Sequence, residues 1–359
     1  MDALLLTGTP GFPEIRGAPA RGSLVIPGAK RTLKNLRPIL GASGLDEGVA
    51  MPGVLTVTLA PSIDRSYRLD VLTPGALHRA EDWSEEFAGK GVNVSHALQL
   101  GTTPTLAIAP LPRSEWAQWA APGWLSFVEA SAKPRVSVSL VEESGRTTKI
   151  NQGPPPLTTS DWENVLAGVT SAIATLAPGW VGVGGAVPQL VDGSAPDLDE
   201  IAALATQANA LLAFDASGPA LASWARRGIP DLIKPNQGEL AACVGRSLNT
   251  LGDVVAAAHE VCSWGVDYVV VSLGSDGILG VHGTSVALAT PEPVKVVNTT
   301  GAGDASLAGF LAHSVASPDD FVGALANAVA WGSAKVGQPG SRLNSLDWGA
   351  AEFSDSSFG

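Results

Sequence analysis

The sequence predicts an α/β protein with a mainly parallel central sheet, helices on both faces of that sheet and a small accompanying β-sheet. From residue 54 onward, short apolar runs alternate with longer Ala- and Leu-rich stretches, as in parallel sheets covered on both faces. Two further segments alternate polar and apolar residues, as half-exposed strands do. The 359-residue chain is 45% hydrophobic and 16% charged, so it can bury a large core.

The elements of the central sheet follow from the spacing of the apolar residues. Buried strands are predicted at residues 54–59, 211–216, 231–236, 268–274 and 294–298. Helices are predicted at residues 92–100, 160–176, 197–210, 250–263 and 304–316. This alternation of strand and helix favours parallel neighbours joined by helical crossovers.

The small sheet is predicted to take its strands from about 65–87 and 134–151, with a hairpin turn at Glu143-Ser144-Gly145. Alternation places the polar side chains of the hairpin on shared faces: Arg135, Ser137 and Ser139 in its first strand, Lys149 and Asn151 in its second. A sheet with such a polar, basic face is a candidate lid over a ligand. The same pattern also fits an ordinary solvated sheet edge.

The ends of the chain differ from its middle. Residues 1–50 are rich in Gly and Pro and show little periodicity, which predicts a poorly ordered extension. The folded domain is expected over residues 51–350, with a tail at 351–359. Met51 directly precedes the first strand, so whether residues 1–50 belong to the natural protein is open.

Charge and composition exclude several classes of function. The net charge of -12 argues against a nucleic-acid groove, which needs a broad basic face, but allows a small phosphorylated ligand. Two cysteines without a CxxC pair and five scattered histidines argue against a disulfide framework and a structural metal site. There is no membrane-length apolar run and no signal-peptide pattern, so we expect a cytoplasmic protein.

The strongest motif is Gly301-Ala302-Gly303-Asp304, which opens the predicted helix 304–316. Glycines let a ligand approach the backbone, and a helix start offers several converging N–H donors. Such a site would stabilise a phosphoryl group in transfer, and Asp304 could accept the proton of an attacking hydroxyl. The alternative is an aspartate that only stabilises the helix start.

A second motif, Gly89-Lys90-Gly91-Val92-Asn93, also precedes an apolar helix. Lys90 and Asn93 would lie at the helix start, where they could hold hydroxyl and phosphate groups. The alternative is a tight turn with a solvated lysine.

A third motif, residues 234–239, ends a buried strand and begins a helix. Lys234, Asn236 and Glu239 could serve phosphate and Mg²⁺, which prefers oxygen ligands and often keeps its waters. The alternative is a capped helix start with Glu239 in the first turn.

A fourth motif, residues 272–277, joins two apolar strands and has glycine at positions 274 and 277. It could wrap around a nucleotide, or it could be an ordinary tight connection.

Together these segments resemble the PfkB (ribokinase-like) carbohydrate kinases over residues 54–345, and most closely the branch of 1-phosphofructokinase, tagatose-6-phosphate kinase and PfkB-type 6-phosphofructokinases. The segments that carry the resemblance are TVTLAPSIDRSY, EFAGKGVNVSHAL, PRVSVSLVEESGRTTKIN, IKPNQGEL, VVVSLGSDG and NTTGAGDASLAGF. Six blocks in the family's order are far more specific than any one of them. The resemblance implies a ribokinase-like fold with a β-sheet lid, ATP and Mg²⁺ as cofactors, and a homodimer clasped through the lids.

The resemblance also implies a role for each matching residue. Asp304 would be the catalytic base and residues 301–303 the anion hole. The remaining implied contacts are Asp64, Gly89, Lys90, Asn93 and Arg135 to the sugar phosphate, Lys234, Asn236, Ser272, Gly274 and Gly277 to ATP, and Glu239 to Mg²⁺ through water. Lys234 and Lys149 are weaker matches to the family's pattern than the other residues.

Departures from the family's pattern leave the substrate open. They are Ala60, Ala88, His96, Ser137 and the stretch 184–188. None of them removes the base or the anion hole, but several touch the sugar side. Fructose 1-phosphate is the favoured acceptor, with Lys90 and Arg135 reading its phosphate. Fructose 6-phosphate and tagatose 6-phosphate are close alternatives, and a ribose or nucleoside kinase and a non-catalytic sensor are more distant ones.

Overall fold

The computed structural model describes residues 51–80, 82–119 and 121–346, and the backbone of residues 3–6. Residues 3–6 belong to the segment that was predicted to be poorly ordered, but they form a strand at the edge of the central sheet. The rest of that extension and the predicted tail lie outside the described residues, so both stay predictions.

Fourteen strands form two sheets in the described chain. In chain order they are β1 (Ala3–Leu6), β2 (Gly53–Thr58), β3 (Ser62–Leu69), β4 (Trp83–Ala88), β5 (Thr105–Leu111), β6 (Leu125–Glu129), β7 (Arg135–Glu142), β8 (Thr147–Asn151), β9 (Pro178–Gly184), β10 (Leu211–Asp215), β11 (Leu232–Ile233), β12 (Tyr268–Ser272), β13 (Ile278–His282) and β14 (Ser285–Ala289). The large sheet has the order β1-β14-β13-β12-β11-β10-β9-β2-β5-β6. Its neighbours from β12 to β6 are parallel, and β13, β14 and β1 form an antiparallel edge.

Helices cover both faces of the large sheet, as the sequence predicted. They are α1 (Lys90–Leu100), α2 (Thr159–Leu176), α3 (Asp199–Gln207), α4 (Pro219–Arg226), α5 (Gln237–Val244), α6 (Leu251–Ser263), α7 (Ala302–Ala316) and α8 (Phe321–Val336). Alternate residues of β2 serve the two sides: Leu55 and Val57 belong to the core formed with α2 to α6, and Val54 to the core formed with α1, α7 and α8. Continuous apolar strands are buried on both faces for this reason.

The predicted strand at residues 294–298 is wrong. The segment pairs with no strand of the described chain, and the exposed fractions of Val296 and Val297 are 64% and 43%. The amides of Val297 and Asn298 donate instead to the carbonyl of Val336 at the end of α8, at 2.8 and 3.1 Å. A β-branched run therefore serves here as a connection into α7. The predicted strand 231–236 is also shorter, at Leu232–Ile233.

The small sheet has the order β4-β3-β7-β8. Its register pairs Asp64 with Ser137 and Ser139 with Lys149, so the polar residues share one face. The opposite, outer face carries Tyr67 stacked on Trp83. The face of the hairpin that alternation marked as polar is thus a single surface in the structure.

None of the helices in the described ranges combines the length and the apolar character that crossing a membrane requires.

Candidate active site

A cavity of about 1120 Å³ lies between the small sheet and the loops that follow the parallel strands. Crevices at the carboxyl ends of strands are the usual ligand sites of open α/β sheets. All the residues to which a catalytic or binding role was assigned line this cavity: Asp64, Gly89, Lys90, Asn93, Arg135, Lys149, Lys234, Asn236, Glu239, Ser272, Gly274, Gly277, Gly301, Ala302, Gly303 and Asp304. The structure therefore brings four motifs and the polar face of the small sheet together.

Asp304 lies in the first turn of α7 at the floor of the cavity, and only 8% of it is exposed. Its Oδ2 accepts a hydrogen bond of 2.8 Å from Nδ2 of Asn93, at the start of α1. Burial raises the pKa of Asp304 to about 6, and the charge of Asp215 adds to this, whereas Lys90, Asn93 and Lys234 lower it. A carboxylate with this pKa is mostly ionised at neutral pH and is a better proton acceptor than an ordinary aspartate.

The backbone before Asp304 forms a donor site at the positive end of α7. Gly301 has φ of 81°, and a Cβ atom on it would overlap the carbonyl oxygen of Ser341. The Ala302 amide donates to Thr299 at a long 3.3 Å. No backbone carbonyl in the described chain accepts from the Gly303 amide. A helix start with such amides favours an anion.

Gly303 also lets a cation approach that helix start. A Cβ atom on Gly303 would lie 3.2 Å from Nζ of Lys234. The lysine, which is buried, therefore stands directly beside the amides of α7. Positive charge and N–H donors thus converge on one point of the cavity.

Sequence reasoning missed Asp215, which ends β10 and is 1% exposed. Its Oδ1 accepts 2.8 Å from Nζ of Lys90, and Nζ of Lys234 lies 3.4 Å from its Oδ2. Burial alone would raise the pKa of Asp215, but the two lysines hold it below its ordinary value. Burial alone would likewise lower the pKa of Lys90, but Asp215 and Asp304 raise it. The available signal was a lone acid closing the buried run LLAFDA.

The second motif positions Lys90 and Asn93 by packing α1 tightly on β2. Gly89 has φ of 146°, and a Cβ atom on Gly91 would lie 2.6 Å from Oγ1 of Thr58. The same oxygen accepts 3.0 Å from the Val92 amide. Larger side chains at the two glycines would push the helix start, and with it Lys90 and Asn93, away from Asp304.

For the third motif, the sequence left open a ligand site or a capped helix start. The structure shows a capped helix start, which also faces the cavity. Asn236 and Glu239 form a capping box at α5, with two side-chain-to-backbone hydrogen bonds of 2.9 Å. No group of three or more His, Cys, Asp or Glu side chains in the described chain could hold a metal ion. A Mg²⁺ ion beside Glu239 would therefore need phosphate oxygens and water for most of its ligands.

The fourth motif forms a short 3₁₀ turn over Gly274–Asp276 at the rim of the cavity. Gly277 has φ of 105°, and a Cβ atom there would overlap the carbonyl oxygen of Ala289. Ser272 pairs with Asn236 in an isolated parallel bridge. The two motifs expected at ATP are therefore joined through their backbones.

Arg135 is the main cation of the small sheet that faces the cavity. Its Nη1 donates to the Gln152 carbonyl at 3.4 Å, and its buried Nε has no hydrogen-bond partner among the described residues. Burial lowers the pKa of Arg135, against the attraction of Asp64. Asp64 accepts 2.7 Å from Ser62. A guanidinium with an unused buried donor suits an anionic group on a ligand.

Comparison with known proteins gives a matching family and several relatives. The family described as pfkB family carbohydrate kinase matches residues 57–348. The 1-phosphofructokinase of Rhodobacter capsulatus is 31% identical over 81% of this chain and 92% of its own. The 1-phosphofructokinase of Haloferax volcanii is 33% identical over 82% of this chain and 94% of its own. Phosphofructokinase-2 from Escherichia coli superposes with a TM-score of 0.72, at 29% identity, covering 82% and 96% of the two chains.

Proposed function

The chain belongs to the pfkB family of carbohydrate kinases, and from this premise we propose that it transfers the γ-phosphoryl group of ATP to the free hydroxymethyl group of fructose 1-phosphate. The observation that carries the proposal is Asp304. It is a buried carboxylate of raised pKa, and it faces the cavity from the helix start whose amides and neighbouring lysine can hold a phosphoryl group.

In the proposed reaction, Asp304 takes the proton of the hydroxymethyl group as its oxygen attacks the γ-phosphorus. The new O–P bond forms opposite the breaking bond to ADP. The amides at 301–303 and Lys234 stabilise the charge on the transferring group. Asn93 keeps the Asp304 carboxylate oriented through its 2.8 Å hydrogen bond.

The Lys90–Asp215–Lys234 group would support ATP binding beside this centre. It carries two cations and one anion, of which Lys234 and Asp215 are buried and Lys90 is 35% exposed, so it offers net positive charge to the phosphates. When bound, Mg²⁺ would neutralise phosphate charge, with Asn236 and Glu239 holding its waters.

The existing phosphate of the sugar would bind between the lid and α1. Arg135 offers the unused donor, and Lys90 offers a charge across the cavity. Asp64 would hold sugar hydroxyls. Because the same cations would serve a 6-phosphate, and because phosphofructokinase-2 shares the fold, fructose 6-phosphate and tagatose 6-phosphate are the competing acceptors.

We also propose that the chain is a homodimer clasped through the outer faces of its small sheets. Trp83 and Ile150 on that face are each 59% exposed. Val138 pairs with Ile150, and Tyr67 with Leu140, so these side chains form one apolar surface. Sedimentation of the full chain should give a dimer that Trp83→Glu converts to monomers.

The deciding experiment is a panel of acceptors measured by ADP release with ATP and Mg²⁺. It should contain fructose 1-phosphate, fructose 6-phosphate, tagatose 6-phosphate, fructose and ribose. We expect the highest kcat/KM with fructose 1-phosphate and a product that carries two phosphates. A higher value with a 6-phosphate would move the assignment to that acceptor, and preference for ribose or fructose would refute the sugar-phosphate site.

A further inference from the structure

Lys335 is a buried charge that the proposed mechanism does not use. It is the second-last residue of α8, and it is 0% exposed. Few lysines in proteins are fully buried without an ionic partner, because a lone ammonium group loses its hydration there. Its presence in an otherwise apolar helix end therefore requires an explanation.

The ammonium group of Lys335 joins two loops. Nζ donates to the carbonyl of Asn298 at 3.4 Å and to the carbonyl of Gln338 at 3.1 Å. Within the described residues, its polar contacts are thus with backbone carbonyls rather than carboxylates. Asn298 begins the segment that leads into α7, and Gln338 lies just after α8.

The lysine lies directly behind the anion hole. A Cβ atom on Gly301 would be 3.5 Å from Cε of Lys335. The loop it touches is tied to the same region by the Asn298 side chain, which donates 2.8 Å to the Gly340 carbonyl. The Gly301 backbone therefore rests against the side chain of Lys335, which adds a second positive charge to that of Lys234 beside the amides at 301–303.

The charge on this side chain persists near neutral pH. Burial, together with the charge of Lys149, lowers the pKa of Lys335 to about 8, although Glu86 and Asp304 attract the ammonium group and act in the opposite direction. A methionine or leucine of similar volume would fill the same space without the cost of burying a charge. A purely structural role would therefore be served better by an apolar residue.

We propose that Lys335 is a positioning residue for phosphoryl transfer, which holds the 298–301 loop against the segment after α8 and places a positive charge behind the anion-hole amides. This inference rests on the proposed role of those amides. It does not depend on which sugar phosphate is the acceptor. The effect would be expressed in the transition state, where negative charge spreads over the transferring group.

The first test is Lys335→Met, which keeps the volume of the side chain and removes its charge. We expect kcat to fall about tenfold to hundredfold, less than the loss of a direct donor, with the KM for sugar phosphate and the melting temperature nearly unchanged. The same fractional loss should appear in ATP hydrolysis without sugar. Because the comparison uses whichever acceptor the unaltered enzyme prefers, an error in the sugar assignment leaves it valid.

Asn327→Leu provides the matched control. Asn327 also lies on α8 and donates 2.7 Å to a backbone carbonyl of α7, that of Gly309, but far from the anion hole. It should lower the melting temperature without lowering kcat. If Lys335→Met keeps kcat within about twofold, or if both variants lower kcat alike, the proposal is overturned.

The second test asks whether the missing element is a charge. Lys335→Ala leaves a space beside two carbonyl oxygens, which small cations bind. We expect ammonium chloride to restore a large part of the kcat of Lys335→Ala, and tetramethylammonium chloride at equal ionic strength to restore none. Equal kcat in the two salts would show that the enzyme had not lost a charge, and the proposal would fail.

Discussion

The two walls of the cavity are built differently. On the transfer side, Asp304 and Asp215 are buried, and their oxygens are held by Asn93 and by two lysines. On the lid side, Arg135 lies in a two-faced sheet with one long hydrogen bond and an unused donor. Both walls keep polar atoms without a partner among the described residues, Asn93 Oδ1 on the transfer side and Arg135 Nε on the lid side, but only the transfer wall is held by ion pairs to a buried carboxylate.

Because of this difference, the proposed mechanism assigns the chemical step to one wall and the choice of substrate to the other. In the proposed reaction, backbone amides, a helix start and an ion network would stabilise phosphoryl transfer to any hydroxyl that reaches Asp304. A few half-exposed side chains on the lid would decide which sugar presents that hydroxyl. Family membership therefore establishes the carbohydrate kinase, and the sugar has to be measured.

The largest expected effect tests the transfer wall. Asp304→Asn removes the proton acceptor but keeps the shape and the hydrogen-bonding capacity of the side chain. We expect kcat to fall by about 10²–10⁴ or more, with little change in the affinity for ATP. Single-turnover kinetics and isothermal titration with ATP would measure the two quantities separately, and near-normal turnover would contradict the role of Asp304 as the base.

The same variant has a stability counterpart. The folded-state pKa of Asp304 is raised from 3.8 to about 6, so its ionised form opposes folding above pH 6. This opposition disappears as the pH falls through 6 toward the unfolded value. A shift of this size corresponds to about 3 kcal/mol, and Asp304→Asn should therefore melt at a higher temperature than the unaltered protein at pH 7.

The lid wall should respond in KM rather than kcat. Arg135→Ala removes the cation with the unused donor, so we expect the KM for the sugar phosphate to rise about tenfold to hundredfold, while the KM for ATP stays the same. Initial rates over a matrix of both substrates would show this.

Arg68→Ala is the matched control for the lid. Arg68 lies on the same sheet but outside the lining of the cavity, where it pairs with Asp82 at 3.0 Å. Its removal should leave both KM values nearly unchanged. An equal rise in KM for both arginine variants would mean that the sheet had been loosened, and would remove the assigned role of Arg135.

The parts predicted from sequence were those with local signals. Some features are encoded within a few residues. Examples are the positive φ angles that require glycine at positions 277 and 301, and the capped helix start at Asn236. The lid face followed from simple alternation. These signals and the family resemblance, which alone named Asp64, gave the site residues, and the structure places them around one cavity.

The parts that were missed depend on contacts between distant segments. Asp215 is 125 residues from its partner Lys90, and nothing near it marks an ion pair. Lys335 ends a helix, where a lysine ordinarily faces solvent and the helix dipole, yet it is wholly buried. The run at 294–298 has the composition of a strand, but its amides donate to Val336 instead of a neighbouring strand.

The smallest expected effect is a pH shift, and it shows which wall controls proton transfer. With a pKa of about 6 for Asp304, kcat/KM should be about tenfold below its plateau at pH 5. The substrate's own phosphate also titrates near pH 6, so the profile of the unaltered enzyme does not identify the group.

Asp215→Asn removes a charge that raises the pKa of Asp304 and leaves Lys90 and Lys234 free to stabilise its carboxylate. The midpoint should therefore move to lower pH in Asp215→Asn and stay in place in Arg135→Ala, because the titration of the substrate is the same in both. A midpoint that stays in place in both variants would assign the titration to the substrate and not to Asp304.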